Sequence, residues 1–256
     1  MANDLTTSVF WDDRSVMKTR PPAGILRRIV RRKFDRLLRQ FIDQVDNPRA
    51  DVLEMGCAPG RMLERLYLVR PKAQLHGIDF SKVGVGVARK YLGNANIEAS
   101  IYEGDIRTTE LPYQCDLVVS FGLIEHFKNA VPIVRNHMRF CKPGGYVSLT
   151  VPNFATPVNK FLLHKFNPPA VDAHYLDIMN PTALRATLES AGLQNVQIGA
   201  VDGPRVFPHA HPSHRFSRLY DSLALAWNTY ATLSPCNWPW HYTYWGSGQV
   251  PSESEG

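Results

Sequence analysis

Cysteine is scarce and scattered in this chain of 256 residues: Cys57, Cys115, Cys141 and Cys236 lie far apart, with no C-x-x-C among them. That argues against a disulfide framework and against a thiolate zinc site, and a reducing compartment is the expectation. No run comes near the roughly 18 apolar residues that a membrane-spanning helix needs. Met1 to Asp13 lacks a basic segment followed by an apolar stretch, so no secretory leader is read there. Internal repeats and low-complexity tracts are missing too. With 44% hydrophobic and 20% charged residues, 17 Gly and 19 Pro, the composition excludes a disordered tail, a collagen-like repeat or a coiled coil as the main architecture. The expectation is a soluble, cytoplasmic globular protein, long enough for one large domain or one domain with an appendage.

Acids are nearly absent from one stretch. Arg14 to Arg39 holds ten Lys or Arg against the single acid Asp35, so the formal net charge of +6 belongs to this segment and the remainder is slightly acidic. From Ala23 to Val45 the apolar residues Ile25, Leu26, Ile29, Val30, Phe34, Leu37, Leu38, Phe41, Ile42 and Val45 recur at three and four, which predicts an amphipathic helix after Pro22. Its basic face, Arg27, Arg28, Arg31, Arg32, Lys33, Arg36 and Arg39, could track RNA phosphates or touch an anionic membrane surface or acceptor. A solvated helix face is the plainer reading, and nucleic acid is not expected as a partner.

Past Asn47-Pro48, strand and helix patterns alternate. Strands are predicted at 51–55, 74–80, 97–104, 115–120 and 146–151, with helices after Gly60, at 83–92 and at 130–140, and a turn at Lys142-Pro143-Gly144-Gly145. This alternation predicts an α/β fold with a doubly wound, mainly parallel sheet covered on both faces. Phe154 to Leu176 reads as irregular, followed by a helix from Pro181 to Ala191 closed by Gly192, a strand at 196–201, a helix at 213–233 and a last strand at 241–245. The expected organisation is a basic arm and helix at 1–46, a core at 47–201, and a C-terminal helix, strand and aromatic-rich tail at 202–256 completing the same domain.

Three consecutive strands end in an acid. Glu54 precedes the turn Gly56-Cys57-Ala58-Pro59-Gly60, Asp79 lies in Gly77-Ile78-Asp79-Phe80-Ser81, and Asp105 follows Gly104. Glycines let a backbone approach a ligand closely, and a helix N-terminus behind them favours its negative end. Acids at the carboxyl ends of neighbouring parallel strands face one crevice, where one of them can accept hydrogen bonds from ribose hydroxyls. A G-x-G-x-x-G dinucleotide loop starting at Gly56 would need glycine at Ala58 and Arg61, so NAD is disfavoured.

As a set, Leu53 to Gly60, Gly77 to Ser81, Gly104 to Ile106 and Cys115 to Phe127, followed by Lys142-Pro143-Gly144-Gly145 and Val151-Pro152-Asn153, closely resemble the class I S-adenosylmethionine-dependent methyltransferases over about residues 50 to 200. The resemblance implies a seven-stranded Rossmann-like sheet and S-adenosylmethionine as cofactor. It implies that Glu54, Gly56, Cys57 and Gly60 surround the cofactor's methionine part, that Asp79 holds the ribose, that Phe80 and Ile106 pack on the adenine with Asp105 near its amino group, and that Ser120 belongs to the same site. Ala58 and Pro59 stand where the family often has a glycine and a variable residue, which predicts a slightly adjusted loop.

Methyl transfer from a sulfonium is an in-line displacement that depends on positioning, and a hydroxyl acceptor adds the need for a base. His126, after the fourth strand, is the candidate catalytic base. Glu125 is read as a solvated acid at a helix start. Asn153, His174, Tyr175 and Trp240 are candidate substrate-binding residues on the acceptor side, while most tail aromatics are assigned to the core. His209, His211 and His214 lack a neighbouring acid and are read as loop histidines, so no metal is expected. Asn167-Pro168-Pro169 is read as a loop. The expected activity is methylation of a small-molecule hydroxyl on a saccharide, lipid or natural product. The competing readings are an RNA methyltransferase using the basic helix and a catalytically silent binding module.

Overall fold

A computed structural model describes residues 4–7, 10–12, 25–201, 206, 210–233 and 242–252, with residues 25–33 described for their backbone only. After helix α1 (Ile25–Ile42) the chain runs β1 (Asp51–Met55), α2 (Arg61–Val69), β2 (Gln74–Asp79), α3 (Lys82–Asn94), β3 (Ser100–Glu103), β4 (Cys115–Phe121), α4 (Val131–Arg139) and β5 (Cys141–Pro152). Helices α5 (Pro157–Phe166), α6 (Pro168–Asp172) and α7 (Pro181–Ala191), strand β6 (Gln194–Val201), helix α8 (Ser217–Leu233) and strand β7 (Thr243–Gln249) complete it. Single 3-10 turns span Ile124–His126 and Leu176–Ile178.

The strands form one seven-stranded sheet in the order β3-β2-β1-β4-β5-β7-β6. All pairings are parallel except those of β7, which lies antiparallel between β5 and β6. Neighbouring residues of a central strand enter opposite cores, as a period of two demands. Val52, Leu117 and Val119 join Leu38 and Phe41 of α1, Leu63 and Leu66 of α2 and Ala88 of α3 on one face. Leu53, Val118 and Leu149 meet Val134 of α4 and Leu184 and Leu188 of α7 on the other. The order reverses direction between β1 and β4, so the crevice beyond the carboxyl ends of those strands is where a ligand can enter.

Three predicted features differ. The stretch read as irregular after Phe154 holds α5 and α6. Thr156 caps α5 by accepting from the Asn159 amide at 3.2 Å, Pro157 fills a first-turn position, and Pro168 does the same for α6. Asn167-Pro168-Pro169 is therefore a helix junction. The turn at Lys142 to Gly145 is an excursion inside β5: Cys115 faces Cys141 while Leu117 faces Tyr146, and Gly144 takes φ +77°. The aromatics also divide, because Trp245 is buried against Phe41 at a ring separation of 5.8 Å whereas Trp227 and Tyr230 of α8 are exposed. Trp238, Trp240 and His209 lie outside the described residues.

Candidate active site

A cavity of about 560 Å³ opens at the carboxyl ends of β1, β2 and β4. Its walls are the β1 turn (Gly56, Ala58, Pro59), Asp79 and Phe80 after β2, Asp105, Ile106 and Arg107 after β3, and Phe121 to Leu123, His126 and Phe127 after β4. A cover of Asp4, Thr6 and Trp11 comes from the N-terminal segment.

Backbone shape explains the turn. Gly56 adopts φ +74° and Gly60 φ +90°, the region that disfavours side chains, and the Ala58–Pro59 peptide between them is cis. A Cβ on Gly60 would press the Ala88 carbonyl of α3 at 3.3 Å, so that glycine serves helix packing. Asp79 accepts the amide protons of Ala58 at 3.0 Å and Ser81 at 2.9 Å, which ties the turn to the end of β2. Burial pushes the Asp79 carboxyl up, and the two amides pull against it. Glu54 is fully enclosed behind Gly56 and held well above the usual carboxylate range by burial, then by Asp79. Its Oε2 has no hydrogen-bond partner.

The third acid is committed differently. Arg107 donates to Asp105 at 2.6 Å and to Asp4 at 2.6 Å, so Asp105 is held below its ordinary value by that guanidinium while the N-terminal segment is tied to the cavity rim. The same segment is stitched by the Leu5 amide donating to the His126 carbonyl at 2.9 Å and by the Ser81 hydroxyl donating to Asp12 at 2.6 Å. The Trp11 ring stands edge-to-face on His126, with centroids 4.9 Å apart.

The Nδ1 of His126 lies 2.6 Å from the Ala173 carbonyl, so it carries the proton and donates. In the neutral ring that leaves Nε2 as the basic nitrogen.

Several sequence-predicted residues sit elsewhere. The Cys57 side chain turns away from the cavity and packs where a Cβ on Gly77 would meet its sulfur at 2.6 Å; its small size fits that contact. The Ser120 hydroxyl points into the core behind β4 and donates to His137 Nε2 at 2.9 Å, while His137 Nδ1 donates to the Ile133 carbonyl. Asn153 is buried and donates to the Tyr244 hydroxyl at 3.1 Å, outside the cavity walls. Tyr175 also stands off the walls, its amide donating to the Glu125 carbonyl at 2.7 Å. Glu125 is not solvated but fully buried, and burial lifts its carboxyl to about 8. His174 is buried beside His126, with ring centroids 4.5 Å apart. His211 pairs with Ser213 and His214 lies against Phe166, each a local contact. Sequence reasoning missed Asp4, Thr6 and Trp11, for which it holds no local signal; Arg107, two residues after Asp105, could have been found.

A family model described as Methyltransferase domain matches residues 26–198. The chain belongs to that family. Two curated relatives are ubiquinone biosynthesis O-methyltransferases, from Azoarcus sp. (strain BH72), 26% identical over 59% of this chain, and from Xanthomonas campestris pv. campestris (strain B100), 29% identical over 57%. The match spans 66% and 64% of those proteins. Among solved structures, the N-methyltransferase NodS from Bradyrhizobium japonicum WM9, in complex with S-adenosyl-L-homocysteine, superposes with TM-score 0.60 at 15% identity, covering 96% of this chain and 100% of that one. At that identity the likeness is one of fold.

This is a class I S-adenosylmethionine-dependent methyltransferase domain. The residues present fit that cofactor, because two buried carboxylates raised by desolvation, Glu54 with an orphaned oxygen and Asp79 on the wall, suit a ligand bearing an ammonium, a sulfonium and ribose hydroxyls. Phe80, Ile106 and Leu123 add apolar side chains to the same walls.

Proposed function

We propose that the protein methylates a hydroxyl of a small molecule, using S-adenosylmethionine. The observation that carries this reading is the single cavity that runs from the Gly56 turn to His126 beneath the Trp11 cover. A mainly apolar chamber of about 560 Å³, partly covered by the N-terminal segment, is of the size that takes a small ligand. When bound, S-adenosylmethionine supplies an electrophilic methyl carried on a sulfonium. Glu54 and Asp79 hold the charged and ribose parts, and Phe80, Ile106 and Asp105 hold the base. His126 Nε2 faces the acceptor hydroxyl and takes its proton, with Nδ1 fixed on the Ala173 carbonyl so that the ring cannot swap roles. The curated relatives bear O-methyltransferase names, which supports an oxygen acceptor.

The test incubates the full chain with methyl-labelled S-adenosylmethionine and an extract of its native cells, then partitions the label. Label in the lipid or small soluble fraction is expected, with His126→Ala lowering it at least a hundredfold while S-adenosylhomocysteine still binds. Nuclease-sensitive label would overturn the small-molecule reading.

A further inference from the structure

We propose that Glu125, His126 and His174 together bind a divalent transition-metal ion just behind the cavity wall that His126 forms. Glu125 and His126 come from the 3-10 turn after β4, and His174 from the segment after α6. Two backbone contacts hold the segments together, the Tyr175 amide on the Glu125 carbonyl at 2.7 Å and the His126 ring on the Ala173 carbonyl at 2.6 Å. One donor atom from each of the three side chains lies within 4.8 Å of the other two, and all three residues are buried.

Two further features point to a ligand. Glu125 Oε2 is fully enclosed and has no hydrogen-bond partner, a costly state that a cation relieves. Both histidines also place Nδ1 on a backbone carbonyl, His126 on Ala173 and His174 on Ala170. That arrangement fixes the tautomer in which Nε2 carries the lone pair, as the outer contacts of metal-bound histidines do. Two imidazoles and one carboxylate suit zinc, iron(II), cobalt(II) or manganese(II) better than calcium or magnesium. Ligand bonds of about 2.0–2.2 Å at tetrahedral angles put donor atoms about 3.3–3.6 Å apart, so the three groups, within 4.8 Å of one another, close by up to about 1.5 Å through side-chain rotation when the ion binds.

Binding of the ion stands independently of the methyl-transfer reading; its consequence rests on that reading. His126 is the member of the trio on the cavity wall. With an ion in place its Nε2 is a ligand, and the cation takes over the task of making an acceptor hydroxyl acidic.

The experiment titrates the chelator-treated full chain with cobalt(II), following visible d–d absorption, and then displaces the cobalt with zinc(II). Expected are one ion per chain with a nitrogen–oxygen ligand spectrum, and affinity at least about tenfold weaker in both Glu125→Gln and His174→Ala, each shown to be folded by circular dichroism and S-adenosylhomocysteine binding. No ion bound by the unaltered chain at 100-fold molar excess would overturn the proposal, as would stoichiometric binding that neither variant weakens. Label transfer that persists while cobalt fails to bind removes the ion alone. Cobalt binding without label transfer removes the methyl-transfer reading alone.

Discussion

Buried titratable side chains set the behaviour of this site at the scale of single residues. Glu54 is enclosed with one oxygen orphaned, a cost that either protonation or a positively charged ligand group offsets. Replacing the charge with a neutral isostere should then separate stability from binding. Glu54→Gln is expected to leave the ligand-free melting temperature unchanged or raised, and to weaken S-adenosylhomocysteine binding by about tenfold in calorimetry, or about 1.4 kcal/mol. His137 makes the opposite kind of claim. Burial lowers it to about 4, against 6.5 for the free side chain. The unfolded chain therefore binds the proton more readily, so the neutral imidazole contributes fully above pH 6.5 and its contribution is lost as pH falls towards 4. Melting His137→Gln beside the unaltered protein between pH 7.5 and 4.5 should show a shallower acid loss in the variant, by on the order of 3 kcal/mol at the acid end. The strand-end position of Asp79 and the left-handed turn at Gly56 were legible in the sequence, because a strand's length and a glycine-rich turn mark them. Glu125, Cys57 and Ser120 were not, since the side of a strand end or 3-10 turn that each faces depends on neighbours dozens of residues away.

Among the elements, glycines and caps decide where chain segments can touch. β2 passes so close to the β1 turn that a Cβ on Gly77 would meet Cys57 Sγ at 2.6 Å and Ile101 Cδ1 at 3.0 Å. Gly77→Ala is accordingly expected to cost about 1–3 kcal/mol in urea denaturation. Helix α7 starts at Asn180, whose side chain accepts the Ala183 amide at 2.9 Å. Loss of that bond in Asn180→Ala should cost about 1 kcal/mol, whereas a change of 0.2 kcal/mol or less would mean the cap is replaced by water. The parallel strands and α7 could be read ahead because long apolar runs and a Pro-to-Gly frame mark them. Helices α5 and α6 could not, because at 10 and 5 residues, with Asn167-Pro168 between them, they lack the length over which a period of 3.6 emerges.

Across the whole molecule, the N-terminal segment closes over a site built by residues far along the chain, its contacts to Ser81 and Arg107 spanning 69 and 103 positions. Asp4 reaches Arg107, Leu5 reaches His126, and Asp12 reaches Ser81, so three contacts from one short segment clamp the ends of β2, β3 and β4. Two of these strands, β2 and β3, lead into Asp79 and Asp105, acids that the proposed function assigns to the cofactor, so closure of the segment and occupancy of the cavity are expected to favour each other. The coupling predicts that a chain starting after Asp12 still folds, because neither apolar core draws on residues 4–12. It should bind S-adenosylhomocysteine roughly tenfold more weakly and release it faster, since the tryptophan that covers His126 is gone. Melting temperature with saturating S-adenosylhomocysteine gives the second measure, as a ligand at a hundred times its dissociation constant stabilises by about 2.7 kcal/mol. At one fixed ligand concentration the truncated chain should gain less than the full chain, by about the 1.4 kcal/mol that tenfold weaker binding represents. Equal gains in both chains would show that the segment rests on the cavity without sharing in its ligand.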